Sequence, residues 1–283
     1  MGRRAPDRLD RGVTTTSPRT QAPPQAGRGV HATARIRATS HDGVTVLPLL
    51  RSDGPFHLRQ LRNHGSQARV CVVSAMSAPL GGDRLAIDVS VEAGAQLEIT
   101  TAAATLALRG ATTDHATYDV TLTVGEQATL YWLPQPLIST RGSNLRQTYT
   151  VDLAPTARLI LREELILGRA HEPPGDLSSH LTVHRDGRPL LAQHTTFGST
   201  APGWDGPAVL GEHRATGQIL IVDPAFANAP PATRLLGDEP ANGEGIVAPL
   251  AGPAVLATAL APTATPLRHL LDDAVRPRTP CST

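Results

Sequence analysis

Three stretches of the chain repeat one another position for position. Val89-Ser90-Val91-Glu92-Ala93-Gly94-Ala95-Gln96-Leu97-Glu98-Ile99 reads as strand, turn, strand. The pattern recurs in Leu122-Thr123-Val124-Gly125-Glu126-Gln127-Ala128-Thr129-Leu130-Tyr131-Trp132 and in Val151-Asp152-Leu153-Ala154-Pro155-Thr156-Ala157-Arg158-Leu159-Ile160-Leu161. Each unit has two alternating apolar residues, a short turn, then Ala, one residue, Leu, one residue and a further apolar residue. The units start 33 and then 29 residues apart. A β unit recurring at such an interval buries its apolar face on its neighbours, which predicts stacked turns. The expected fold is mainly β, a superhelix or solenoid-like repeat of hairpin units. Ordinary hairpins in a sandwich are the other arrangement of the same pattern.

The flanks add detail. Ala34-Arg35-Ile36-Arg37 and Val44-Thr45-Val46-Leu47, separated by His41-Asp42-Gly43, predict a hairpin with an Asp-Gly turn. Leu181 to Leu191 predicts another around Asp186-Gly187. Near the C-terminus Leu267, Leu270, Leu271, Ala274 and Val275 follow helical spacing, with Thr265 as N-cap, Pro266 at the first helical position and Pro277 as the stop. This short helix is expected to pack on the β body. Residues 1–30 hold six Arg, two Asp and almost no large apolar side chain. Too little apolar surface is available there to offset the entropy of ordering. The expected organisation is a disordered basic tail at 1–30, one β-rich domain at 31–276 and a second tail at 277–283.

Composition excludes several functions. The 283 residues carry a net charge of +1, which gives no reason to expect nucleic acid or an anionic membrane as partner. Every base is Arg, so chemistry that needs a lysine is excluded, including the phosphate loop ending in Gly-Lys-Ser/Thr. Cys71 and Cys281 cannot build a disulfide framework. Cys71, in the run Arg69-Val70-Cys71-Val72-Val73, is expected to be a buried core thiol, and the usage fits a reducing cytoplasm. No apolar run approaches the roughly 20 residues that span a bilayer. Arg3-Arg4 lacks the apolar region that should follow a twin-arginine export signal.

Catalytic signatures are missing from the sequence: there is no Gly-x-Ser-x-Gly elbow, His-Glu-x-x-His, Cys-x-x-Cys or dinucleotide glycine fingerprint. No enzyme activity is expected. His180 and His184 form a His-x-x-x-His pair, but they precede an Asp-Gly hairpin turn. On a strand they lie roughly 13 Å apart, too far for one metal ion, and they belong to the solvent face. Two carboxylates point inward instead. Glu163 shares parity with Leu159, Leu161, Leu165 and Leu167, while Glu164 points the other way. Asp83 shares parity with Leu85, Ile87, Val89 and Val91. A carboxylate aimed at an apolar interior costs several kcal/mol, roughly, unless it is paired, hydrated or bound to a metal. One reading is a buried ion pair, with Arg109 or Arg162 as partner. Another is a polar passage whose oxygen ligands pass a divalent ion along without trapping it. A third is an acid/base pair of a hydrolase.

Several segments together resemble the urease accessory protein D family (UreD, also called UreH). They are Pro79-Leu80-Gly81-Gly82-Asp83-Arg84-Leu85, then Gly94-Ala95-Gln96-Leu97-Glu98-Ile99-Thr100-Thr101 followed by Arg109. Further on come Trp132-Leu133-Pro134-Gln135-Pro136, Glu163 with Leu167-Gly168-Arg169, and Arg185-Asp186-Gly187-Arg188-Pro189-Leu190. The resemblance departs at loops, for example at Thr105-Leu106-Ala107-Leu108, where the family has a Lys and an aromatic. It implies a β-superhelical, non-catalytic scaffold that binds urease apoprotein. Such a protein acts with accessory proteins F and G, the latter a GTPase, while nickel enters the urease site. It also implies that nickel is in transit through an internal tunnel, with no tightly bound cofactor. Asp83 and Glu163 fall at positions that the family fills with the same residue type. A generic β-repeat interaction module without a metal role is the alternative.

Overall fold

The computed structural model describes residues 1–2 and 29–276. Residues 3–28 of the basic tail expected at 1–30, and the tail expected at 277–283 with Pro277 and Cys281, therefore lie outside the described residues. The chain opens with β1 (His31–His41) and β2 (Val44–Arg51), an antiparallel pair turned at Asp42 and Gly43. Both turn residues have positive φ, 50° and 76°, which matches the twist of the flanking strands. β3 (Phe56–His64) and β4 (Gln67–Ser74) make a second antiparallel pair. The chain then coils through β5 (Arg84–Val91), β6 (Gln96–Thr101), the short β7 (Thr105–Ala107), β8 (Ala116–Val124) and β9 (Thr129–Leu133). It continues through the short β10 (Leu137–Ser139), β11 (Asn144–Leu153), β12 (Arg158–Leu167) and β13 (Asp176–Arg185). The predicted hairpin at Asp186-Gly187 brings it back as β14 (Arg188–Phe197). The last elements are β15 (Ala215–Val222), β16 (Arg234–Leu236), β17 (Glu244–Pro249), β18 (Ala254–Ala261) and α1 (Ala264–Val275).

Two sheets result. The first runs β14-β13-β11-β8-β5-β1-β2, and the second runs β16-β17-β18-β15-β12-β9-β6-β4-β3, with β7 and β10 beside it. Successive coils pair in parallel within each sheet. The three repeated stretches stack in register: Val89, Leu122 and Val151 face one another in the first sheet. Leu97, Leu130 and Leu159 do so in the second. The superhelix stands, and the internal pairing of its unit differs from a hairpin. β5 and β6 belong to different sheets, as do β8 and β9, and β11 and β12. The turn between them is a corner of the coil. Its backbone bonds run to the next coil, Thr129 N–H to Ala95 O and Arg158 N–H to Ala128 O, both 2.9 Å. Ala95, Ala128 and Ala157 are fully enclosed at the corners. Close stacking of coils leaves room for little more than a methyl group there, which explains the recurring alanine.

The core lies between the sheets, and a second cluster lies outside the second sheet under α1, built on Leu267, Leu270, Leu271, Ala215 and Ile219. The helix starts earlier than expected: Thr263, not Thr265, is the N-cap residue, and Pro266 falls inside the first turn. Pro is tolerated throughout that turn because its missing N–H has no intrahelical partner. Cys71 lies on β4, but Val70 and Val72 take the buried positions and the thiol is only half-buried on the other face. The run reads as apolar on both sides, which hid the strand alternation.

Candidate functional site

Glu163 lies on β12, where the alternation of Leu159, Leu161, Leu165 and Leu167 points it between the sheets, and it is 5% exposed. No arginine meets it among the described residues. Its partners are neutral: the Gln147 Nε2 donates to it at 3.0 Å, the Gln218 Nε2 at 2.8 Å, and the Ser179 hydroxyl also donates. Gln147 and Ser179 come from β11 and β13 of the opposite sheet, so the carboxylate bridges the two sheets. Gln218 faces Glu163 directly across the β12–β15 ladder. Burial pushes the Glu163 carboxyl above its ordinary range, and the hydrogen bonds from Ser179, Gln218 and Gln147 oppose that shift. Burial likewise pushes the Tyr149 phenol well up, with Glu163 adding to it.

Two cavities meet at this carboxylate. One, of about 130 Å³, is lined by Glu163, Gln193, Thr195, Thr216, Gln218 and Thr258, with Leu165, Phe197 and Gly217. Gln193 Oε1 and Gln218 Oε1 are buried without a hydrogen-bond partner among the described residues, so this cavity presents unused oxygen acceptors. The other, of about 20 Å³, holds room for about one water. It is lined by Gln147, Tyr149, Glu163, Glu164 and the Pro134–Gln135 segment, among others.

The second cavity coincides with an interruption of the sheet. The parallel ladder between β9 and β12 ends at Trp132 opposite Leu161, and the β10 ladder resumes at Leu137 opposite Leu165. Pro134 and Pro136 fall in the gap and have no N–H to donate. The Leu-Pro-Gln-Pro motif thus opens the sheet beside Glu163 and Glu164. Glu164, pointing outward as expected, is nevertheless buried, because α1 covers it. Arg268 of α1 grips it in a bidentate pair, with Nη2 to Oε2 at 3.0 Å, and also reaches the Gln135 side chain at 3.4 Å. Arg162 adds an ion pair to Glu164 at 3.2 Å and one to Asp272 at 3.3 Å. The ion pairing considered for Glu163 from Arg162 belongs to its neighbour instead.

Asp83 is buried, 2% exposed, just before β5. Its Oδ1 accepts from the Val30 N–H and its Oδ2 from the Leu80 N–H, both at 2.8 Å. It lines neither cavity of Glu163. Leu85 shares a row of the first sheet with Tyr118 and Gln147. Asp83 is therefore two residues and two strands removed from the Gln147 that touches Glu163, so the two carboxylates do not face one another as an acid/base pair. Among the described residues no group of three or more His, Cys, Asp or Glu is placed to hold a metal ion. His180 is exposed while Leu181 and Val183 are buried, as their alternation predicts. Arg109 is exposed, beside a separate polar pocket that includes Gly81, Gly142 and Gly175. Sequence reasoning missed Gln147, Ser179 and Gln218. Their inward parity on apolar strands was the available signal.

The UreD urease accessory protein family matches residues 30–281 of this chain. The Streptomyces griseus subsp. griseus protein named urease accessory protein UreD 3 is 56% identical over 253 residues, covering 87% of this chain and 96% of that protein. The Streptomyces coelicolor urease accessory protein UreD is 52% identical over 249 residues, with 87% and 96% covered. That of Parafrankia is 38% identical over 264 residues, with 86% and 87% covered. The matched span contains every strand of the two sheets, α1, the Leu-Pro-Gln-Pro interruption and both inward carboxylates, and the chain belongs to the UreD urease accessory protein family.

Proposed function

We propose that this protein is a non-catalytic scaffold of urease maturation that binds urease apoprotein together with accessory proteins F and G and passes nickel toward the urease site through its interior. The observation that carries the nickel role is Glu163: a buried carboxylate with no cationic partner among the described residues, lining a cavity on either side of itself. An anionic oxygen ringed by neutral amide and hydroxyl groups attracts a divalent ion. Oxygen ligands hold nickel less firmly than nitrogen or sulfur ligands would, which suits transit. The unused acceptors of Gln193 and Gln218 extend the same lining. Urease maturation itself is supported by family membership and by the names of the relatives. Asp83 has both oxygens engaged by the Val30 and Leu80 N–H groups, which suits the loop it holds better than a passage.

The test is Glu163→Gln in cells producing urease and its accessory proteins, assayed across a nickel series. Urease activity is expected to fall several-fold at limiting nickel and to recover at excess, with a melting temperature for the purified variant no lower than that of wild type. Wild-type activity at every nickel level would remove Glu163 from the path. Lost activity together with lost folding would make it a structural residue.

A further inference from the structure

The outer face of the first sheet carries a histidine pair that the interior passage does not use. His180 on β13 stands directly opposite His194 on β14, with ring centroids 5.1 Å apart and planes inclined by 33°. Both side chains are exposed. A bulge creates this match. From the turn, Arg185 pairs with Arg188 and His184 with Pro189, and then the register slips by one so that Val183 faces Leu191. Without the slip His180 would face Gln193. Pro189 cannot donate to the ladder, and bulges are where strands accommodate such residues.

Directly opposite residues of an antiparallel pair have Cβ atoms about 4.5–5.5 Å apart. Two imidazoles so placed can reach one ion at the usual metal–nitrogen distance of about 2.0–2.1 Å. Ser178 Oγ and Thr196 Oγ1 lie 2.8 and 3.3 Å from His194 Nε2. They steady that ring as outer hydrogen-bond partners steady metal-bound imidazoles. His194 Nδ1 and both nitrogens of His180 have no hydrogen-bond or ion-pair partner among the described residues. His184, two positions along the same face, is committed elsewhere, 3.8 Å from the Asp152 carboxylate.

We propose that His180 and His194 form a surface chelate for a divalent transition-metal ion that favours imidazole, with water completing the coordination. Nickel as the ion rests on the function proposed above; the two-imidazole geometry does not. Two protein ligands leave most positions open, so the ion exchanges readily with solvent or another protein. The site is chemically distinct from Glu163, nitrogen outside against oxygen within.

The experiment is a calorimetric titration of the untagged full chain with nickel chloride, comparing wild type with His180→Ala, His194→Ala and, as a control, His184→Ala. Wild type and the control are expected to bind one nickel ion that each of the other two variants binds at least tenfold more weakly. His180 and His194 are exposed and His184 is half-buried, and unchanged melting temperatures verify that the variants fold. Equal affinity and stoichiometry in all four proteins, or no binding by wild type, overturns the site. The passage is judged separately, by urease activation in Glu163→Gln. An intact titration with normal activation in that variant supports the histidine site and overturns the passage, while a flat titration with impaired activation does the reverse.

Discussion

At Glu163 burial and hydrogen bonding act in opposite directions, and burial wins, so the folded carboxyl titrates above its ordinary value of 4.5. The unfolded chain therefore ionises first as pH rises. Between 4.5 and the folded pKa the native state binds more protons, and stability falls through that window. Glu163→Gln removes this fall. It also keeps the hydrogen bonds, because the Gln218 amide, whose Oε1 has no partner among the described residues, can rotate to accept from the new amide. The variant is expected to melt at or above wild type at pH 7–8, by about 2–4 °C for each kcal/mol recovered, and to lose the advantage near pH 5. Melting curves from pH 5 to 8 check this. A variant several degrees less stable at every pH would make the carboxylate a structural pillar. Parity along β12 made the inward direction of Glu163 legible in the sequence. Its partners were not legible, since Gln147 and Gln218 lie 16 and 55 residues away and no local pattern ties them to it. The burial of Glu164 was hidden for a related reason: the cover is a helix more than 100 residues later.

The repeated element was legible as a unit but not in its pairing. Strand, turn and strand in sequence look alike whether the two strands pair with each other or each pairs with the next coil. The spacing of 33 and 29 residues favours the second, and the alanine at each corner is its packing signature. In a free hairpin that position would tolerate a larger side chain. Here Ala128 lies between Ala95 and Ala157 of the adjoining coils, all with no exposed surface. Ala128→Leu is expected to overpack the corner and to destabilise the protein by about 1–3 kcal/mol. Leu at the neighbouring Gln127, which is exposed, should change little. Denaturant melts of the two variants compare them directly, and equal midpoints would mean that the corners are looser than their burial indicates. The helix start shows a smaller version of the same limit. Thr263 and Thr265 are both capable caps, and only docking on the second sheet selects between them.

For the molecule as a whole, the parallel stack of the first sheet needs a defined beginning, the docking of β1 on β5, with β2 closing the outer edge of β1. Asp83 provides that beginning. Its carboxylate holds the Val30 N–H from one side and the Leu80 N–H from the other, fixing the entry of β1 beside the entry of β5. The Val30 carbonyl accepts from the Arg84 N–H at 2.7 Å, so the contact is reciprocal. Gly29 presses on the same loop: a Cβ there would lie 2.1 Å from the Gly82 oxygen, so only glycine fits. The family match also starts at residue 30. A chain beginning at Gly29 is therefore expected to melt within about a degree of the full chain, since the residues removed lack core-forming side chains. A chain beginning at Ala32 loses the Val30 bonds and leaves the buried Asp83 with an unfilled oxygen, at about 1–3 kcal/mol. With a drop of about 2–4 °C per kcal/mol, its melting temperature should fall by several degrees. Asp83→Ala in the full chain should reproduce that loss, because it strands the two N–H groups from the other side. Thermal melts of the three proteins decide the matter: if the chain from Gly29 is already destabilised, the fold begins earlier than Asp83 places it.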